Sequence, residues 1–483
     1  MEEALIVGRY LYWEQWVLVG VVLTVTLLLW KTLWVSRGSR KNQHIPLPLG
    51  STGWPLIGES ISFYRGLRSA QPRQIIQDHE KKYGPVFRTN LFGRKRMVVS
   101  VDPEFNRYVL QNEGRLFQAN YPQSFRNLVG KYGLVNVHGD LQKKLHAVAA
   151  NLLKQDNLIS DFMDDIQNFL LADMQRWQHK GVIHLQEECN KVLLKIMGKK
   201  LLDLSPSEET EEIYKAFEAY VLAIISIPIK FPGSSYARGI KGRETIKRKI
   251  EECIQERRQN PQVIRNDFLT KLLKEESWPD EIIIDLLLFI MFAGYETSST
   301  SMAFAIKFLT NNPRALEELR VEHDSLLKDN GNRKLTWDDY QAMKFTHCVI
   351  KETLRLGNAG LGAYREAKQD IKFKDFVIPK EWTVLVLLFG THLDEKYYPE
   401  PFTFNPWRWQ NESPLALSDN PWFMPFGRGA RLCPGFHLAR FEIALFLHNF
   451  VTKFRWEPIG DDQICYFPAP TLVNHLLIRL YDR

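Results

Sequence analysis

Cysteine is scarce in this 483-residue chain, and its five copies, Cys189, Cys253, Cys348, Cys433 and Cys465, are odd in number and widely scattered. That excludes a disulfide scaffold and, with no C-x-x-C pair, a structural zinc site. It suits a reducing compartment. Nucleotide signatures are missing too: there is no G-x-x-x-x-G-K-[ST], and Gly427-x-Gly429 lacks the third glycine of G-x-G-x-x-G. Neither a G-x-S-x-G elbow nor an H-E-x-x-H pair occurs. Hydrolase, kinase and pyridine-nucleotide dehydrogenase readings therefore lose their usual support. Positive charge is not concentrated either. The excess of 63 Lys+Arg over 56 Asp+Glu, +7, is spread along the chain. That is compatible with an acidic partner or an anionic membrane but lacks the dense basic stripe of a nucleic-acid binder.

What is present is an ordinary globular composition, 45% hydrophobic and 25% charged, which argues against disorder. Length alone predicts roughly three domains. No Gly/Ser-rich linker, repeat or low-complexity run divides the chain after residue 53, so 54–483 reads as one large domain. Residues 1–35 read as a membrane anchor. Trp16–Trp30 carry no charge, and the run to Val35 is 20 residues long, broken by Lys31 alone. A lysine can snorkel to the interface. Tyr10, Tyr12, Trp13 and Trp16 mark one interface, with Trp30 and Trp34 at the other. A signal peptide has a shorter apolar core and a small-residue cleavage site, whereas Arg37, Arg40 and Lys41 follow here. Those charges outnumber the upstream Arg9, so the positive-inside rule leaves the large domain in the cytosol. Residues 36–53, with Pro46, Pro48 and Gly50, read as a basic, proline-rich hinge.

Apolar periodicity predicts helices over 158–177, 211–227, 243–258, 280–311 and 314–328. Strand-like runs fall at 86–91, 97–101, 371–378 and 383–388, separated by turn residues. The expected fold class is mainly α (α+β) with small sheets.

The carboxyl third carries the chemistry. Phe426 to Gly435, Phe-Gly-Arg-Gly-Ala-Arg-Leu-Cys-Pro-Gly, fits F-x-x-G-x-R-x-C-x-G at every fixed position. A thiolate that holds haem iron needs a tight loop aiming N–H groups at sulfur, and glycines permit it. Arg431 can pair with a haem propionate, and Phe426 can cover the sulfur. With this motif the chain resembles a cytochrome P450. Ala293-Gly294-Tyr295-Glu296-Thr297-Ser298 is similar to that family's A-G-x-[DE]-T-[TS] segment. The resemblance implies that Glu296 and Thr297 relay protons to bound O2 on the distal face. It further implies a structural trio of Glu352, Arg355 and Arg408, the last within Phe404-Asn405-Pro406-Trp407-Arg408-Trp409.

The resemblance spans essentially the whole chain. It implies one haem b, ligated by Cys433, with Phe426, Arg431, Arg365, His146 and Gly435 around it. It also implies an endoplasmic-reticulum membrane location and electrons from NADPH–cytochrome P450 reductase, met by Lys143, Lys144, Arg428 and Arg440. The helix that usually presents Trp and Arg to the propionates reads Gln142 and His146 here. Finer strings, Asn112–Phe117 with Tyr121-Pro122, Trp337–Tyr340, Cys348–Asn358 and Phe404–Gln410, resemble plant steroid C-22 hydroxylases. By that resemblance the substrate is a sterol such as cholesterol or campesterol, hydroxylated at C-22, with C-16 as a further candidate position. The family positions imply a pocket of Phe117, Phe125, Leu128, Ile225, Ile290, Ala293, Leu361 and Leu472. Gly360 and Gly362 are expected to reshape that pocket for a second oxidation. Two other readings stay open: oxidation of another isoprenoid, a triterpenoid or hormone, and an oxygen-independent rearrangement, against which Glu296 and Thr297 speak.

Overall fold

The structure is a computed structural model that describes residues 46–483 apart from 56, 70, 92–93, 155–161, 206, 225, 227, 276–277, 332, 361, 418–419 and 468. The anchor expected over 1–35 and the first part of the hinge lie outside the described residues. The remainder of the hinge is stitched to the globule. Arg88 N donates to Leu49 O at 2.8 Å, Ser51 N to Arg88 O at 3.1 Å, and Val377 N to Pro46 O at 3.0 Å.

Helices dominate, with small sheets beside them. Six helices frame the interior: α1 (Gly139–Leu152), α2 (Glu208–Ile224), α3 (Ser235–Gln259), α4 (Asp280–Thr310), α5 (Lys344–Gly357) and α6 (Phe436–Lys453). Its 31 residues make α4 about 46 Å long. It is apolar nearly all round, as a helix surrounded by other helices must be. Among the described residues it is also the one helix apolar and long enough to cross a membrane, but most of it is buried in the protein core.

The largest sheet has five strands: β1 (Val86–Leu91), β2 (Arg94–Ser100), β3 (Phe117–Ala119), β4 (Gly362–Ala367) and β5 (Thr383–Leu387). Their spatial order is β1-β2-β5-β4-β3. β2 pairs parallel with β5, and the other pairs are antiparallel. The 86–91 run is a strand over the predicted residues. The expected strand over 371–378 is a hairpin of Ile371–Phe373 and Phe376–Ile378, because Lys374 turns at φ 48°. Likewise α3 begins eight residues before the periodicity predicts. Its first turns are polar, and the start is marked instead by the Ser234 side chain accepting from Ala237 N. Gly239 and Gly242 let α3 lie against α2. A Cβ at either would run into Ala223 or the Ala216 carbonyl.

Glu352 ties α5 to the segment that follows the sheet. Its carboxylate accepts from Arg355 Nε (2.9 Å) and Nη2 (2.8 Å), Arg408 Nε (3.1 Å), Trp409 Nε1 (2.9 Å) and Asn405 N (2.9 Å). Glu352 and Arg355 are both fully buried. Removing one partner of a buried ion pair costs about 3–5 kcal/mol, because the other charge is stranded. Glu352→Leu is therefore expected to lower unfolding free energy by about that much in denaturant titration, and Arg408→Leu, at the more exposed edge, by less. A Glu352→Leu loss under 1 kcal/mol would contradict this role.

Candidate active site

The loop 426–435 follows the segment that carries Arg408 and Trp409 and ends at the start of α6. Gly427 and Gly429 both sit at positive φ, 72° and 74°. A Cβ on Gly429 would enter the Leu110 carbonyl, so the loop can press against the end of the helix carrying Leu110 only without one. Cys433 N donates to Phe426 O at 2.9 Å, closing the loop. Burial pushes the Cys433 thiol up to about 11, and the N–H of Gly435 draws it back down.

Cys433 lines a 340 Å³ cavity together with Phe426, Arg431 and Gly435 from its own loop, Ile290, Ala293, Gly294 and Thr297 from α4, Gln142 and His146 from α1, and Arg365 from β4. The loop and helix segments singled out by motif thus meet around one apolar space. Glu296 is not among the lining residues. Burial pushes its carboxyl up to about 7. Thr297 Oγ1 donates to Ala293 O at 2.8 Å, so its hydroxyl oxygen remains able to accept.

The arginines also have partners within the protein. Both Arg365 Nε and Arg431 Nε lie 2.6 Å from the buried carboxylate of Glu113. Arg431 also donates to the carbonyls of Leu134 (2.7 Å) and Val137 (2.6 Å). Arg440 is buried, with its Nη1 on Leu415 O at 2.7 Å, so it is not part of a reductase-facing surface. Lys143 and Lys144 are exposed, whereas Arg428 is half-buried and lines the cavity.

Of the expected pocket, Ile290 and Ala293 line the cavity. Phe117 does not: strand alternation turns it into a second core with Tyr108, Val384 and Ile378. Leu128 and Leu472 are fully buried in the main core, and Phe125 stacks between Tyr121 and Phe292. Ile225 and Leu361 lie outside the described residues. Motif reading gave Ser298 no role of its own and missed Ser301, although with Thr297 they form a polar stripe on an otherwise apolar helix, which was a readable signal. It also missed Glu442, a charge inside apolar α6 whose burial pushes it up to about 8, with Ser298 beside it drawing it down. Met197 and Leu153 reach the cavity by tertiary packing and carry no such signal.

A cytochrome P450 family model matches residues 48–478. The chain belongs to the cytochrome P450 family. Cytochrome P450 720B2 of Pinus taeda is 60% identical over 477 residues, 97% of each chain. Abietadienol/abietadienal oxidase of Pinus taeda is 56% identical over 447 residues, 92% of each. A steroid (22S)-hydroxylase of Oryza sativa subsp. japonica is 37% identical, over 91% of this chain and 89% of that one. The solved structure of retinoic acid bound cyanobacterial CYP120A1 superposes with TM-score 0.80 over 91% of this chain and 100% of that one, at 24% identity. That likeness concerns the fold.

The protein is thus a cytochrome P450 monooxygenase, and the family's cofactor is haem b. The site fits it: an apolar slot with one thiol in its wall and three guanidinium groups, those of Arg365, Arg428 and Arg431, among its lining residues. The sterol C-22 assignment is overturned, since the pine P450s are far more similar than the steroid hydroxylase. The strings behind it are scaffold. Glu113 holds two arginines, Tyr340 packs on Phe441 and His347, and Arg408 serves Glu352. Of those strings Tyr121, Leu354 and Asn358 reach the cavity.

Gly360 and Gly362 divide. A Cβ on Gly360 meets nothing within 4 Å, whereas one on Gly362 would press into the Val386 carbonyl across the β4–β5 pair. Gly362→Ala is therefore expected to cost about 1–3 kcal/mol by overpacking. Gly360→Ala should be within about 0.5 kcal/mol of neutral. Thermal unfolding of both variants measures the contrast.

Proposed function

We propose that this P450 oxidises a diterpenoid alcohol or aldehyde. The observation that carries this reading is 56% identity, over nine-tenths of both chains, to the abietadienol/abietadienal oxidase. It corrects the substrate class while keeping the broader expectation of an isoprenoid. The cavity suits such a molecule. Its wall is chiefly apolar, and Thr297, Ser298, Ser301 and Asn358 supply a few polar groups for an oxygen function.

Cys433 would hold the haem iron. A coordinating cation deprotonates a thiol outright, so the upward push of burial does not prevent thiolate ligation. When bound, haem supplies O2 activation and the oxidising power. The chain's own residues do the rest. The apolar wall excludes water, and Gly294 keeps the helix surface low beside Ala293. Thr297 offers its hydroxyl oxygen to the cavity, and Glu296 holds a proton that it can release near neutral pH. Electrons come from NADPH–cytochrome P450 reductase, whose acidic face would meet Lys143 and Lys144. The amino-terminal anchor would hold the domain on the cytosolic face of the endoplasmic reticulum membrane.

The direct test supplies abietadienol, abietadienal and, as a comparison, cholesterol to membranes holding this protein, the reductase and NADPH, with products read by mass spectrometry. Oxidation of the diterpenoids and none of cholesterol is the expected outcome. No turnover of either diterpenoid, alongside a normal thiolate-type CO spectrum, would sink the substrate reading while leaving the P450 itself intact.

Glu296 gives a pH prediction. Its carboxyl is raised to about 7, so the proton-bearing form dominates below that pH and is lost above it. Turnover should fall on the alkaline side of about pH 7. In Glu296→Gln that limb should vanish and kcat should drop by about 10²-fold, the low end for general acid catalysis. An unchanged pH profile in Glu296→Gln would remove the residue from proton delivery.

A further inference from the structure

The two departures on α1 do not point where the family's pattern would send them. Gln142, almost fully buried, donates from Nε2 to Ala430 O at 3.0 Å. His146 Nε2 lies 2.7 Å from Leu432 O. A carbonyl can only accept, so His146 must carry its proton on Nε2, which settles the tautomer of a neutral ring. Residues four apart share one face of a helix, so both side chains reach the same strip of loop. That strip is the last three residues before Cys433.

Their effect follows from what else holds the strip. Gly427 and Gly429 make the loop permissive, and permissive backbone wanders unless its polar groups are tied. Phe426 O already takes the Cys433 N–H at 2.9 Å. The peptide between Leu432 and Cys433 is therefore held from both sides, its N–H by the loop and its C=O by His146. Gln142 does the same for the carbonyl two residues earlier. On the other side of Arg431, the Glu113 carboxylate orients the guanidinium. α1 itself is anchored by buried Leu145 and Ala149. It is thus a rigid base from which to brace the loop.

We propose that His146 and Gln142 are positioning residues for the cysteine, bracing 430–433 through its backbone carbonyls rather than anchoring haem propionates. Arg365 and Arg431 remain the cations available to the propionates. The brace keeps Cys433 Sγ aimed at the metal and keeps the thiolate from yielding to a protonated, detached thiol. This rests on Cys433 being the iron ligand. That premise is checked separately by the thiolate-type CO spectrum of the unaltered protein.

The test uses full-length, haem-loaded protein and three variants. His146→Phe keeps a ring without a donor, His146→Gln keeps a donor of similar reach, and Gln142→Leu removes the second tie. Three quantities are read: haem per polypeptide, the ratio of thiol-type to thiolate-type CO spectra, and hydrogen exchange of the Leu432 and Cys433 amides. His146→Phe is expected to raise the thiol-type ratio and the amide exchange by about fivefold, what losing one neutral hydrogen bond gives. Haem content should stay within about twofold, His146→Gln should restore the unaltered ratio, and Gln142→Leu should shift it in the same direction. A His146→Phe protein that loses haem at an unchanged spectral ratio would make His146 a propionate anchor and overturn the proposal. If His146→Phe does not fold, an unchanged ratio in Gln142→Leu overturns it equally.

Discussion

A carboxylate sealed away from water must be paired, and Glu352 organises the proximal half of this protein because so many groups answer it. Arg355, one turn along the same helix, neutralises it and then donates onward to His392 O at 2.7 Å and Pro401 O at 2.6 Å. Burial pushes His392 down to about 3, so its ring is neutral and Nε2 is free to accept from Met424 N at 3.0 Å. Met424 O takes Gly427 N at 3.0 Å, and Phe426 O takes Cys433 N. A continuous run of bonds thus connects a buried ion pair to the peptide carrying the cysteine. Each member is satisfied only if its neighbours stay in place, which is how a polar network specifies one geometry.

The cavity is framed by the same logic with opposite sign. Glu113 gathers Arg365 and Arg431, one from the sheet and one from the cysteine loop, against its single negative charge. Two cations and one anion leave a net positive charge beside an apolar slot, which suits a cofactor bearing carboxylates on an apolar ring. The α4 helix closes the other side with a surface in which Gly294 leaves room and Thr297 and Ser301 interrupt the apolar face. Gly360 also lines the cavity, and a side chain added there would meet open space.

The strings that resemble steroid hydroxylases serve chiefly to pair charges and pack helices. Glu113 and Glu352, which lie in the strings Asn112–Phe117 and Cys348–Asn358, each pair with arginine inside the protein. The second string is buried throughout, where sequence is constrained by volume and hydrogen bonding, although Leu354 and Asn358 also line the cavity. The cavity-lining positions are chiefly apolar and scattered along the chain, some inside motifs, as Ala293 and Thr297 are, and others outside them. Met197 and Leu153 contribute to the cavity for reasons that lie entirely in how their helices pack.

Local chemistry determined a good deal unaided. A glycine-studded loop ending at Cys433, an acid–alcohol pair on an apolar helix, and strand runs such as 86–91 were all legible, because each depends on residues close in the chain. Tertiary structure alone decided that Phe117 and Leu472 belong to the core, that Arg440 is buried, that Glu113 holds both arginines, and that His146 faces the Leu432 carbonyl. Those outcomes depend on which face of one element meets another hundreds of residues away. Helical or strand periodicity says that a face is apolar, but it cannot name the surface that covers it.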